Sequence, residues 1–172
     1  AYYPRAHRWC LDRKLTMIGT SDIHTPDLRR ESSATDHRSL TLVFAKEPSV
    51  KGIREALFAR RTAVWHKNLV IARAELLAPL FEACVRLESP HFRAGDRTWV
   101  RLRNDSEFEM HMERVAGTGP RELTLPPRST SLLKLRLPSP ETAIKLDYVV
   151  KNFLVSPDTG LEVALQPSAG GE

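Results

Sequence analysis

The segment Gly19-Thr20-Ser21-Asp22-Ile23-His24-Thr25-Pro26 holds the residue types best suited to chemistry. It follows Leu15–Gly19, a short and mostly apolar run of the kind expected for a strand buried on both faces. Asp22 and His24 are two residues apart. In an extended segment that spacing points both to one side and Ile23 to the other. A carboxylate and an imidazole on one side suit a divalent transition metal such as zinc or manganese. The same residues permit a plainer reading, in which Ser21 or Asp22 caps a following turn and His24 lies on the surface. A bare Asp-x-His spacing is common, so spacing alone leaves both open.

Other chemistries find less support. Ser21 lacks the Gly-x-Ser-x-Gly elbow of a nucleophilic serine. The eight glycines are scattered and form no phosphate-cradling loop. Cys10 and Cys84 belong to no Cys-x-x-Cys pair and are expected as buried free thiols. The net charge of +5 is uneven: residues 1–84 carry 14 Lys/Arg against 9 Asp/Glu, and residues 85–172 carry 12 of each. The first half therefore attracts anions, phosphate among them. Arg29-Arg30 and Arg60-Arg61 are isolated pairs without a recognition motif, so nucleic acid is not expected as a partner. No apolar run approaches the roughly 18 residues of a membrane helix, so no membrane partner is expected, and no signal-peptide pattern is visible.

The elements that must position Asp22 and His24 lie in the first half. Pro4–Arg13 reads as a helix with Ala6, Trp9 and Cys10 as its inward stripe. The Leu15–Gly19 strand follows, then a polar stretch from Ser21 to Ser39, long for a compact domain and so expected to be functional. Leu40–Ala45 reads as a strand, Pro48–Arg61 as a helix with Val50, Ile53, Ala56 and Leu57 on one face, and Thr62–Trp65 as a strand. Ala72–Val85 reads as a helix with Leu76, Leu77, Leu80, Phe81 and Cys84 inward. This order suggests the closing part of an α/β barrel or sheet. At 172 residues the chain is too short for a complete eight-unit barrel, which needs about 250.

The second half has a different composition, with 6 Gly and 8 Pro against 2 and 4 in the first. Strands are expected at Arg97–Arg103, Phe108–Val115, around Leu123 and Leu125, at Thr130–Leu137, Ala143–Leu154 and Leu161–Leu165, separated by turn signals. Such spacing suggests an immunoglobulin-like antiparallel β-sandwich. The expected fold class is α+β in two parts, with residues 1–85 as the α/β portion and residues 86–172 as the sandwich.

Gly-Thr-Ser-Asp-Ile-His after an apolar strand resembles the last metal-binding motif of the PHP (polymerase and histidinol phosphatase) family of metal-dependent phosphoesterases. Tyr3-Pro4-Arg5-Ala6, Trp9-Cys10-Leu11-Asp12, Asp36-His37-Arg38, Thr41 to Glu47, Ile53 to Leu57 and Lys67-Asn68 are similar to a bacterial PHP-type phosphodiesterase subgroup with a β domain after the barrel. The resemblance implies that Asp22 and His24 ligate a divalent metal (Zn, Mn or Fe) in the complete protein. Water activated by that metal would attack the phosphorus of a phosphoester small molecule. His37 and Arg38 would line the phosphate side of the pocket, and His66 and Lys67 are weaker candidates. His7, His91 and His111 are expected to be ordinary surface or strand residues.

The early His-x-His motif and the middle Glu and His ligands of the family are missing, so this chain is expected to be a C-terminal portion not competent alone. An amidohydrolase is disfavoured, because its last motif needs no paired His. The alternative function is a non-catalytic β-sandwich binding or assembly module. An unpaired strand edge makes a homo-oligomer a further expectation. The compartment, cytoplasmic or periplasmic and secreted, stays open.

Overall fold

The computed structural model describes residues 1–22, 24, 37–139 and 141–167. Its helices are α1 (Pro4–Asp12), α2 (Val50–Phe58) and α3 (Ala74–Cys84). Its strands are β1 (Leu40–Val43), β2 (Thr62–His66), β3 (Leu69–Ile71), β4 (Val85–Leu87), β5 (Phe92–Ala94), β6 (Arg97–Asn104), β7 (Met110–Gly117), β8 (Glu122–Leu125), β9 (Ser129–Arg136), β10 (Leu146–Ser156) and β11 (Thr159–Leu165). The chain is mostly β-sheet. It divides into two compact units, Ala1–Leu77 with Asn152–Gly160, and Ala78–Lys151 with the chain from Leu161 onward. Residues 152–160 thus return to the first unit.

In the first unit, Pro4 opens α1, where its fixed φ is already helical and its missing N–H is not needed. The expected stripe is not the buried one. Trp9 is 57% exposed, and the buried residue of the helix is His7, at 5%. His7 tolerates that position because its Nδ1 shares a 2.9 Å hydrogen bond with the Tyr2 hydroxyl. Lys14, at φ 54°, then turns the chain into Leu15.

Leu15–Gly19 does not form the expected buried strand. Thr16, Met17 and Ile18 make no backbone–backbone hydrogen bond among the described residues. Threonine hydroxyls hold the segment instead: Thr62 Oγ1 donates to the Met17 carbonyl at 2.7 Å, Thr16 Oγ1 to the Leu57 carbonyl at 2.7 Å, and Thr41 Oγ1 to the Gly19 carbonyl at 2.8 Å. Leu15 and Ile18 are left 40% and 59% exposed. Gly19 lies so close to β2 that a Cβ there would sit 2.4 Å from Val64 Cγ1.

β1 and β2 pair antiparallel, Leu40 opposite Trp65 through Val43 opposite Thr62. β2 and β3 form a hairpin across Lys67 (φ 52°) and Asn68, and the Asn152 side chain closes onto it by donating to the Asn68 carbonyl at 2.8 Å. Parallel pairing occurs between Phe153-Leu154 of β10 and Val70-Ile71 of β3. The described residues of this unit thus make a mainly antiparallel sheet with one parallel pairing. Helix α2 is shorter than expected. It starts where Ser49 Oγ accepts the Gly52 N–H at 3.0 Å and stops before Arg60, at φ 59°. Arg61 lies beyond it and pairs with Glu55. Ala56 is fully buried, whereas Val50 is 86% exposed.

The second unit is built on alternation. Thr98, Val100, Leu102 and Asn104 of β6 point inward, and Leu133 and Leu135 of β9 meet them across an eight-pair antiparallel register. β4 and β5 pair with β6 antiparallel. β7 pairs antiparallel with β8 and with Leu146–Val150 of β10, with a bulge at Asp147/Tyr148. Met110, Met112, Leu125, Leu146, Tyr148 and Val150 bury the inner side. Gly117 is required beside that bulge: at φ 79°, a Cβ would stand 2.4 Å from the Lys145 carbonyl oxygen. Asn104, 1% exposed, ties the β6 end to two loops. Its Nδ2 donates to the Phe108 and Pro126 carbonyls at 2.7 and 2.8 Å, and its Oδ1 accepts from the Ser106 N–H and hydroxyl at 3.0 and 2.6 Å.

In α3, Leu77 (0%) and Phe81 (2%) are buried, while Leu80 is only half-buried. Both cysteines are free thiols, partly rather than fully buried. Burial raises the Cys84 thiol above its ordinary range.

Candidate functional site

Asp22 and His24 lie near each other. Asp22 adopts φ 51°, a left-handed conformation that Asp tolerates better than most residues. Its Oδ1 lies 3.6 Å from His24 Nε2, and both side chains face solvent, 91% and 87% exposed. Two oxygen and nitrogen donors are thus presented outward.

Asp22 also lines a cavity of about 380 Å³ in the first unit, together with Tyr2, His7, Gly19, Ser39 and His66. The β1–β2 register explains part of this wall. Leu40 stands opposite Trp65, which sets Ser39 beside His66, and the Ser39 hydroxyl meets His66 Nδ1 at 2.7 Å. Burial is the main cause holding His66 below the usual histidine range, followed by neighbouring positive groups that include Lys67 and His37. His7 is likewise lowered, by burial first and Arg8 second. Its Nε2 is buried without a hydrogen-bond partner among the described residues. The expectation of a surface histidine is therefore corrected for His7. A helical stripe counted from apolar residues alone does not reveal it.

His37 and Arg38 are not among the residues lining this cavity. His37 Nδ1 faces the Arg38 carbonyl at 2.6 Å, its Nε2 faces the Lys67 carbonyl at 3.0 Å, and its ring lies 4.1 Å from Trp65. Both ring nitrogens thus face backbone carbonyls, one in the chain before β1 and one in the β2–β3 turn. Thr25, Pro26 and Asp36, quoted above for the motifs, lie outside the described residues.

A catalytic divalent ion needs about three or more protein ligands. Among the described residues, no group of three or more His, Cys, Asp and Glu side chains is placed to hold a metal ion. Asp22 and His24 have the right donor chemistry but are too few, so the described residues of this chain do not by themselves fit a catalytic metal.

Residues 85–166 match DUF5001, an Ig-like domain family. No curated protein matches the chain. A solved structure does: a two-domain protein from Bacteroides vulgatus containing a predicted PHP-like metal-dependent phosphoesterase, 36% identical, with a TM-score of 0.84 over 96% of this chain. The chain is a relative of this PHP-like protein. The alignment takes in the DxH segment's unit as well as the Ig-like region, because 96% of the chain is covered. The chain spans about half of the PHP-like relative's length, 50%.

Proposed function

We propose that this chain contributes Asp22 and His24 to the metal site of a PHP-type phosphoesterase, with the remaining ligands supplied from outside its described residues. The observation that carries the reading is the 3.6 Å approach of Asp22 and His24 in a chain whose relative contains a predicted PHP-like metal-dependent phosphoesterase. In the assembled site a divalent ion (Zn, Mn or Fe) would supply the activated water for hydrolysis of a phosphoester. The chain's own part is to hold two ligands, of which Asp22 lines a cavity whose walls include Ser39 and His66. The excess of basic residues in 1–84 favours an anionic substrate. His37 and Arg38 are proposed on the substrate side, His37 acting by fastening the loop that carries Arg38. In this reading residues 1–77 are the closing part of the PHP-type fold and the second unit is a β-sandwich.

A second reading has one observation of its own. Residues 85–166 match an Ig-like domain, and such a unit can serve as a non-catalytic binding or assembly module. The test joins these 172 residues to the half of the relative that has no counterpart here, and assays a generic aryl phosphodiester with added Mn²⁺ or Zn²⁺. Hydrolysis that is lost in Asp22→Asn and His24→Ala, with the fold retained, supports the phosphoesterase. Absence of metal-dependent hydrolysis in the joined chain favours the module.

A further inference from the structure

We infer that a groove along β9, in the second unit, is a docking site for an extended acidic peptide that adds to the sheet as one more strand. Among the described residues β9 pairs with β6 alone, and its other edge carries no partner strand. Such an edge offers a row of unused backbone N–H and C=O groups to a further strand. A cavity of about 590 Å³ is lined by Leu132, Leu133, Lys134 and Arg136 of β9 and, from β7 and the turn after it, by Arg114 and residues 117–120. Neighbouring residues of a strand point to opposite faces, so a cavity bordered by both Leu132 and Leu133 lies along the strand's edge. The turn is held in place without a ligand. Arg114 Nη1 donates to the Gly119 carbonyl at 2.5 Å, and the Tyr148 hydroxyl donates to the Pro120 carbonyl at 2.8 Å. A wall formed in advance lowers the ordering cost of binding.

Charge selects the occupant. The ionisable side chains of the lining are Arg114, Lys134 and Arg136, and no carboxylate joins them among the described residues. Lys134 Nζ lies 5.7 Å from the centre of the Trp99 ring. Arg136, its side chain 77% exposed, has Asp96 Oδ2 at 3.8 Å from Nε, an exposed pair of the weak kind. Leu132, Lys134 and Arg136 alternate along one face of β9 and are all exposed. Every second residue of an added strand meets them: an apolar side chain at Leu132 and carboxylates at the two cations. Cations on an open edge deter an uncharged strand and favour an acidic one. β9 has two cations and no carboxylate of its own, so a second copy of it brings more positive charge instead of the complement.

The test is fluorescence polarisation of a labelled peptide of alternating Glu and Val, about as long as β9, titrated with the 172-residue chain at low salt. The expected result is saturable binding, weakened at least about tenfold when Gln replaces Glu in the peptide. A peptide with the same Glu residues and Pro in place of Val keeps the charge and loses the ladder N–H groups, and should bind at least about tenfold more weakly as well. Lys134→Glu with Arg136→Glu should weaken the Glu–Val peptide to the same extent and leave the melting temperature within a few degrees. Should that variant fail to fold, amide exchange of β9 in the native chain decides: the Glu–Val peptide should slow it. Absence of saturable binding, equal binding of the Pro peptide, binding that the charge reversal does not disturb, or β9 exchange unchanged by the peptide overturns the inference. So does binding of heparin at these residues without binding of the peptide, since the groove would then hold a sulfated polysaccharide.

Discussion

Replacing Asn104 removes five hydrogen bonds at one buried point of the Ig-like unit, one of them a long 3.5 Å contact from its Nδ2 to the Leu125 carbonyl. Asn104→Ala strips the donor from the Phe108 and Pro126 carbonyls and the acceptor from the Ser106 N–H and hydroxyl. Asn104 is 1% exposed, so water does not replace these partners without opening the loops. Leaving a buried backbone group unsatisfied costs about 1–3 kcal/mol, and relaxation of the half-buried Ser106 side recovers part of the total. The expected cost is about 2–4 kcal/mol, a fall in Tm on the order of 10–20 °C for a unit of this size. Equilibrium hydrogen exchange of the β6 and β9 amides reports on this unit alone. Asn104→Asp sharpens the test, because at neutral pH it sets carboxylate oxygen against the two carbonyls. It should be at least as destabilising as alanine at pH 7, and the difference should shrink in acid as the side chain gains a hydrogen to donate. A cost below about 0.5 kcal/mol for Asn104→Ala, or an Asp variant as stable as the native chain, refutes this account of the β6 end.

Phe81→Ala should cost about 3–5 kcal/mol by urea unfolding, and Leu80→Ala clearly less, because Phe81 is 2% exposed and Leu80 only half-buried. The reverse order would mean the face of α3 is misassigned. Burial lowers both His7 and His66 from their ordinary value of 6.5. The unfolded chain then takes up protons below about pH 6.5 that the folded chain resists, so stability is present above that pH and lost as pH falls below it. Each histidine contributes at most about 1.4 kcal/mol per pH unit, and urea midpoints between pH 8 and 5 should fall, less steeply in His7→Gln. A midpoint that rises toward pH 5 contradicts this burial of His7. Glu55 and Asp105 are held low chiefly by hydrogen bonds from Arg61 and from Arg86 and Arg103 respectively. Their contribution is lost in a separate acid range, below their ordinary values of 4.5 and 3.8.

Local patterns in the sequence carried far where the physics was local. The alternation of Trp99, Val100 and Leu102 with Arg and Thr led to β6, and Pro4 led to the start of α1. The three-residue strands β3, β4 and β5 escaped, because so short a run has no period to detect. Leu15–Gly19 read as a buried strand from its apolar residues, yet burial depends on a neighbour, and threonine hydroxyls take the place of a ladder here. The candidate site was legible in residue type at Asp22 and His24. Its geometry was not, since the left-handed conformation of Asp22 is not foretold by spacing. The Ser39–His66 contact depends on the register of two strands more than twenty residues apart, and His7 on its partner Tyr2.

Metal content decides most directly whether Asp22 and His24 are half of a phosphoesterase site. The measurement is elemental analysis, after dialysis against a trace of Mn²⁺ or Zn²⁺, of the 172-residue chain, the joined chain, and the joined chain with Asp22→Asn or His24→Ala. The account predicts well under one ion per 172-residue chain, about one or more per joined chain, and loss of that occupancy in both variants. A joined chain without divalent metal, or with metal that neither substitution disturbs, contradicts it.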